Sequence, residues 1–270
     1  MKMPIFQVDA FTDEVFRGNP AAVCPLPKWP QDVLLQSIAA ENNLPETAFL
    51  VGAEGKYKLR WFTPVQEIDL CGHATLAAAY VVMTAMEKGQ KHVAFSTKSG
   101  TLRVSKVGRD LFAMDFPARP AERVDPAPAA LLEALGKEPL EVWAARDYMA
   151  VYATEKDVKA LRPNMEKLRQ LDKLGVIVTA KGDKVDFVSR FFAPKAGVPE
   201  DPVTGSSHCT LIPYWAERLG KDDLLARQVS RRGGDLMCMP RGKRVAIAGR
   251  VVLYMKGAVD VPYSSGVSPT

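Results

Sequence analysis

The chain has 270 residues, 47% of them hydrophobic and 25% charged, enough to bury a full apolar core in one large domain or two lobes. That mix excludes a disordered chain, and the length removes any need for disulfide staples. Lys and Arg outnumber Asp and Glu by 36 to 31, a net charge of +5; the basic residues are scattered rather than gathered in a stripe, so no nucleic-acid partner is expected.

In chain order, residues 5–10 alternate apolar and polar side chains and predict a strand. Phe16-Arg17-Gly18-Asn19-Pro20 is a turn, residues 21–24 a second strand, and residues 31–42 a helix broken by Pro45. Strands follow at 47–51 and 57–63, and then an almost wholly apolar helix at 72–83, which is expected inside a lobe. Three short strands (93–95, 101–104, 111–115) lead to a proline-rich linker at 117–120. Beyond it the sequence predicts helices at 129–135 and 158–171, strands at 149–153, 176–179 and 187–192, a second apolar helix from Ser206 through Trp215, and strands at 245–248 and 251–255.

A repeat lies within this order. Arg60-Trp61-Phe62-Thr63-Pro64 matches Arg190-Phe191-Phe192-Ala193-Pro194, and each leads into a glycine and a buried helix carrying His-x-Thr-Leu, at His73 and His208. A duplicated half with pseudo-twofold symmetry follows. Two helix N-termini facing each other would hold a carboxylate or a developing enolate, since their first N–H groups lack partners and carry partial positive charge.

Several side chains near those mouths are candidates for proton transfer. Glu46 enters a strand and is either a buried acid/base or an ordinary exposed glutamate. His73 opens the first apolar helix, where an imidazole is expected to be neutral, as a hydrogen-bond donor to substrate or as a cap. Asp201 precedes Pro202 and is a turn residue or a partner acid/base. Ser206 lacks the G-x-S-x-G elbow and suits a helix cap or anion ligand. Cys71 is a base or a small core filler. The four cysteines show no CxxC spacing, the three histidines no metal-ligand spacing, and there is no nucleotide-binding glycine loop. No cofactor and no metal are therefore expected. The longest apolar run, 76–83, is too short to span a bilayer, and no signal-peptide core is seen at the start, so a cytoplasmic protein with reduced thiols is expected.

Four segments, residues 16–23, 44–49, 71–76 and 200–208, together resemble the phenazine-biosynthesis PhzF-like isomerase family of the diaminopimelate epimerase-like fold, over essentially the whole chain. The resemblance implies an α+β protein of two pseudo-symmetric lobes, each a barrel-like mixed sheet around a central buried helix. The boundary is expected at 118/119, with the last residues packing back on the N-terminal lobe. It implies a homodimer and a cofactor-independent isomerase moving a proton on a small carboxylate. Glu46, His73 and Asp201 would be catalytic, and Asn19, Gly72, Ala74, Thr204, Gly205, Ser206 and Arg232 would contact substrate. Two departures stand out. The epimerases of this fold place a second cysteine at the opposite helix mouth, where this chain has Asp201 to Ser206, and Ser230 replaces a usual glycine. A cysteine-dependent amino-acid racemase and a non-catalytic carboxylate-binding protein are the alternatives.

Overall fold

The computed structural model describes residues 2–261. The first run of elements is β1 (Lys2–Ala10), β2 (Asn19–Pro25), α1 (Asp32–Asn42), β3 (Glu46–Ala53), β4 (Lys56–Phe62), β5 (Glu67–Ile68), α2 (Gly72–Val81), β6 (His92–Thr97), β7 (Gly100–Gly108) and β8 (Leu111–Pro117). The second comprises β9 (Glu122–Arg123), α3 (Ala129–Leu135), β10 (Glu141–Ala144), β11 (Tyr148–Val151), α4 (Glu155–Ala160), α5 (Met165–Arg169), β12 (Val176–Lys181), β13 (Phe187–Ala193), β14 (Val198–Asp201), α6 (His208–Leu219), β15 (Leu224–Gln228), β16 (Gly234–Arg241) and β17 (Arg244–Asp260).

The pairings repeat along with the sequence. β2 lies parallel to β3 and β4 parallel to β6; β11 lies parallel to β12 and β13 parallel to β15, and the hairpins between them match. Following the ladders, β1-β2-β3-β4-β6-β7-β8-β17 returns to β1 and closes a ring of eight strands. No open edge is left in that ring, which is how a sheet avoids pairing with other chains. In the second half the ladder β10-β11-β12-β13-β15-β16-β17 reaches β8, and β9, just beyond β8, pairs back to β10.

Each half packs around one helix, α2 inside the closed ring and α6 in the second half. In α2 every residue but Tyr80 is buried, and the alanines at 74 and 77–79 let strands pack closely on all sides. α6 buries Cys209, Leu211, Ile212 and Trp215, with Trp215 stacked on Phe187 at 5.7 Å. Both helices belong to one continuous core.

The structure corrects three expected elements. The helix expected at 158–171 is two, α4 and α5, because Pro163 supplies no N–H and drives Arg162 away from helical geometry. The two C-terminal strands are one, β17, which pairs with β16 and β8 early and with β1 late. It passes beneath Phe11 at Gly249, where a Cβ would stand 2.3 Å from the ring. α6 begins at His208, leaving Gly205 and Ser206 in the turn before it. β10, β15 and β16 were not expected; β15 and β16 alternate buried and exposed residues, but Pro240 and polar positions blur the pattern.

Candidate active site

The repeated arginines explain how each helix mouth is held. Arg60 makes a two-pronged pair with Glu67 (2.8 and 2.9 Å), and Arg190 does the same with Glu200 (2.7 and 3.0 Å). Each guanidinium also lies over the second aromatic of its motif, Phe62 at 5.1 Å and Phe192 at 4.8 Å. Planar bidentate pairing fixes geometry as well as charge. Glu67 sits on β5 and Glu200 on β14, the short strands that lead to α2 and to the turn before α6. Both arginines are therefore structural, and they aim the two mouths.

The mouths meet at glycine. A Cβ at Gly72 would stand 3.5 Å from Gly205 Cα, and one at Gly205 would stand 3.6 Å from Gly72 Cα. Neither contact is a clash, yet a methyl group at either place would fill the space where the two backbones face a ligand. A cavity of about 600 Å³ opens there, lined by Glu46, Cys71, Gly72, His73, Asp201, Thr204, Gly205 and Ser206 among others.

Glu46 begins β3 and is buried, as is His73 at the start of α2. Glu46 Oε2 lies 2.9 Å from His73 Nε2 but accepts no well-aligned hydrogen bond. That oxygen is buried with lone-pair capacity to spare, in a side chain that lines the cavity. His73 Nδ1 is 3.0 Å from Asn19 Nδ2 and 3.6 Å from Cys71 Sγ. Asn19, fully buried after the turn at Gly18, donates to Asp201 Oδ1 (2.7 Å) and to the Val203 carbonyl (2.9 Å). That turn requires glycine: Gly18 has φ of +63°, and a Cβ there would meet the Ala10 carbonyl oxygen at 2.2 Å. Asn19 thus ties the His73 side of the site to the Asp201 side from behind the cavity.

Burial pushes the His73 imidazole down, and the Glu46 carboxylate beside it pushes it up, with a net rise above the usual histidine range. The helix N-terminus and this carboxylate act on the imidazole in opposite directions, the first favouring the neutral ring and the second the charged one. Burial also pushes the Cys71 thiol up to about 11, so Cys71 is a thiol at neutral pH. Replacing Cys71 by Ser is expected to leave turnover within about threefold of wild type in steady-state kinetics, since loss of a neutral thiol removes no reacting charge.

Asp201 is raised to about 6, chiefly by burial, with His73 pulling down and Glu46 pushing up. Thr204 Oγ1 donates to its Oδ2 at 2.5 Å. Gln228, fully buried, locks the same loop by donating to the Asp201 carbonyl (2.6 Å) and accepting from the Thr204 N–H (2.9 Å). An acid raised from 3.8 favours the fold in its protonated form. That contribution is complete below about pH 4 and is lost as pH rises through 6. Asp201→Asn should therefore shrink the drop in unfolding free energy between pH 4 and pH 7 by on the order of 2 kcal/mol in urea titrations.

Other expected positions fall as follows. Thr204, Gly205 and Ser206 line the cavity. Ala74 is fully buried as the third residue of α2 and does not line the cavity, and Asn19 stands behind it. Arg232 is corrected: its guanidinium is spent on Asp9 Oδ1 and the Arg17 and Gly18 carbonyls, each at 2.8 Å, and it is absent from the cavity wall. His208 Nδ1 donates to the Thr204 carbonyl at 2.8 Å, and burial lowers its pKa to about 4, so it is a neutral core residue and no base for Ser206. Among the cavity residues that were missed are two arginines, Arg119 and Arg146. One lay in what the sequence offered as a proline linker, the other in a turn without a motif. Among the described residues, Glu46, Cys71 and His73 form the one grouping with metal-ligand spacing, their donor atoms within 4.8 Å of one another.

Two halves of matched topology, each wound round a buried helix and meeting at glycine mouths flanked by acid/base groups, define the diaminopimelate epimerase-like class. Comparison with known proteins agrees. The phenazine biosynthesis-like PhzC-PhzF family model matches residues 8–257. An uncharacterized isomerase of Pseudomonas aeruginosa is 53% identical over 97% of this chain and 100% of its own. The crystal structure of a PhzF-family protein from Enterococcus faecalis superimposes with a TM-score of 0.93 at 47% identity, covering 97% of this chain and all of the other. A phenazine biosynthesis PhzC/PhzF protein from Clostridium difficile gives 0.91 at 46%, over 96% and 100%. The chain belongs to the PhzC-PhzF family and is a PhzF-like isomerase.

Proposed function

We propose that the protein moves a proton between carbons of a small carboxylate without a cofactor, with Glu46 as the group that takes and returns the proton. The observation that carries this reading is the Glu46 side chain: it lines the cavity between the two helix mouths, and its Oε2 is buried 2.9 Å from an imidazole without an aligned donor. His73, with Nε2 2.9 Å from the Glu46 carboxyl, positions that group beside the substrate. Asp201, held by Asn19 and Thr204 across the site, orients an amine or hydroxyl of the substrate. The N–H groups at Gly72 and around Gly205-Ser206 stabilise negative charge developing on the substrate.

The cysteine-racemase alternative is less well supported. Its second thiol would be Cys209, which is buried a residue inside α6, does not line the cavity, and is pushed by burial to about 11. Halves bounded at 118/119 fit the ladders, with residues 251–260 of β17 lying on β1 as the returning segment. No helix among the described residues is long and apolar enough to cross a membrane, and a cytoplasmic protein without nucleic-acid partners is the reading in keeping with the sequence.

A homodimer is supported by an apolar strip of exposed Leu253, Tyr254 and Met255 on β17, joined by Phe16, whose ring meets Tyr254 at 5.5 Å. Incubating the wild-type protein with dihydro-hydroxyanthranilate, diaminopimelate and proline, followed by NMR of the products, tests the function. Isomer conversion without added metal or cofactor is the expected result, and tight binding of one of these carboxylates with no conversion would favour the binding-protein alternative.

A further inference from the structure

We propose that Arg119 and Arg146 form the subsite that binds the substrate carboxylate, on the α6 side of the cavity and opposite Glu46. The inference rests on the isomerase reading above and assigns the anion to particular side chains. Arg119 Nη1 is buried and has no hydrogen-bond partner, although the side chain lines the cavity. A guanidinium is always charged, and a buried cationic N–H without an acceptor is costly unless a ligand supplies one.

The buried and half-buried acids of the cavity wall are already engaged, and the fourth acid, Asp69, is exposed. Glu67 is taken by Arg60 and Lys98, Asp201 by Asn19 and Thr204, and Glu46 stands against His73. Arg146 differs from Arg119 in being aimed. Its Nε and Nη2 donate to Asp147 Oδ2 at 3.0 and 2.7 Å, and Asp147 is only 2% exposed. Its Nη2 also reaches Ser206 Oγ at 3.1 Å, in the turn that opens α6.

The backbone explains why Arg119 stands there. Pro213 inside α6 has no N–H to give the Cys209 carbonyl, and the Arg119 N–H takes its place at 2.9 Å. The proline thus frees a carbonyl one turn into the helix, and that carbonyl pins Arg119 beside the helix mouth. Arg119, Arg146, the Ser206 hydroxyl and the helix end then converge on one anion. A carboxylate there leaves the rest of a small molecule to extend toward Glu46 and Asp201. Planar guanidinium groups match a carboxylate better than an ammonium would.

Proton exchange is measured with dihydro-hydroxyanthranilate, diaminopimelate and proline, and with the primary carboxamide of each, for wild type, Arg119→Gln, Arg119→Lys and Arg119→Ala. For any carboxylate that the wild type turns over, Arg119→Gln is expected to raise KM about 100-fold while kcat changes far less. Arg119→Lys should lose less, guanidinium ion should partly rescue Arg119→Ala, and the carboxamide should be handled alike by wild type and Arg119→Gln. The ligand-free Arg119→Gln protein should melt no lower than wild type, since it loses an unpartnered cation. An unchanged KM, or an equal loss for carboxylate and carboxamide, overturns the subsite and leaves the isomerase reading standing. Silence of the wild type with every probe removes that reading and this inference together.

Discussion

Glu46→Gln lowers turnover by about a thousandfold, the usual scale for removing a positioned general acid/base, while binding of a carboxylate inhibitor changes by less than about threefold. The amide keeps the shape of the side chain and its place at the start of β3, so the fold and the helix mouths are preserved. It cannot accept and return a proton. On the proposed reading the split between kcat and binding follows, because Glu46 contacts the migrating proton and the anion is held by groups across the cavity. The substitution also removes the negative charge 2.9 Å from His73 Nε2. His73 then loses the carboxylate that helps hold its pKa up, and burial, which pushes it down, gains weight. Two-dimensional NMR of the imidazole should accordingly show His73 deprotonating at lower pH in Glu46→Gln than in wild type.

Arg190→Met carries the largest effect on stability. Arg190 is 8% exposed and serves four acceptors: both oxygens of Glu200, and the Val158 and Leu161 carbonyls at 3.0 and 2.9 Å. Removing it strands a carboxylate and two carbonyls at the end of α4. Breaking a buried pair in this way costs about 3 kcal/mol or more, which for a chain of this size lowers Tm by roughly 6–12 °C. The symmetric Arg60→Met should cost only about 1 kcal/mol. Arg60 is more exposed, its second partner Asp32 has a side chain 72% exposed, and Glu67 keeps Lys98 as a cation. Calorimetry of the two variants side by side checks both values. Arg190→Met should also weaken activity below its melting range, because β14 carries both Glu200 and Asp201.

These two residues also show what the sequence disclosed. The paired Arg-x-Phe-x-Pro motifs were visible as a repeat because each arginine needs the same aromatic beneath it and the same strand geometry. Their acidic partners were not visible, since Glu67 follows Arg60 by seven residues and Glu200 follows Arg190 by ten. Glu46, Cys71-Gly72-His73 and Asp201 to Ser206 could be found because local motifs carry them. Arg119 could not, since its placement depends on a carbonyl that Pro213 leaves unpaired more than ninety residues away in the chain. Arg232 pointed the wrong way for a related reason: a guanidinium next to glycines looks like an anion ligand, and only the fold shows that Asp9 and the turn at Gly18 already occupy it. The direction in which His73 is shifted depends on the tertiary contact with Glu46, which a helix-end argument does not contain.

The central claim is that one carboxyl group, and no thiol, carries the proton. Following deuterium entry from D2O into a turned-over carboxylate, for wild type, Glu46→Gln and Cys71→Ser in parallel, tests it most directly. Exchange that disappears in Glu46→Gln and persists in Cys71→Ser is the predicted result. Exchange that survives loss of the Glu46 carboxyl and vanishes with the Cys71 sulfur would contradict the account and place the protein with the thiol-dependent racemases.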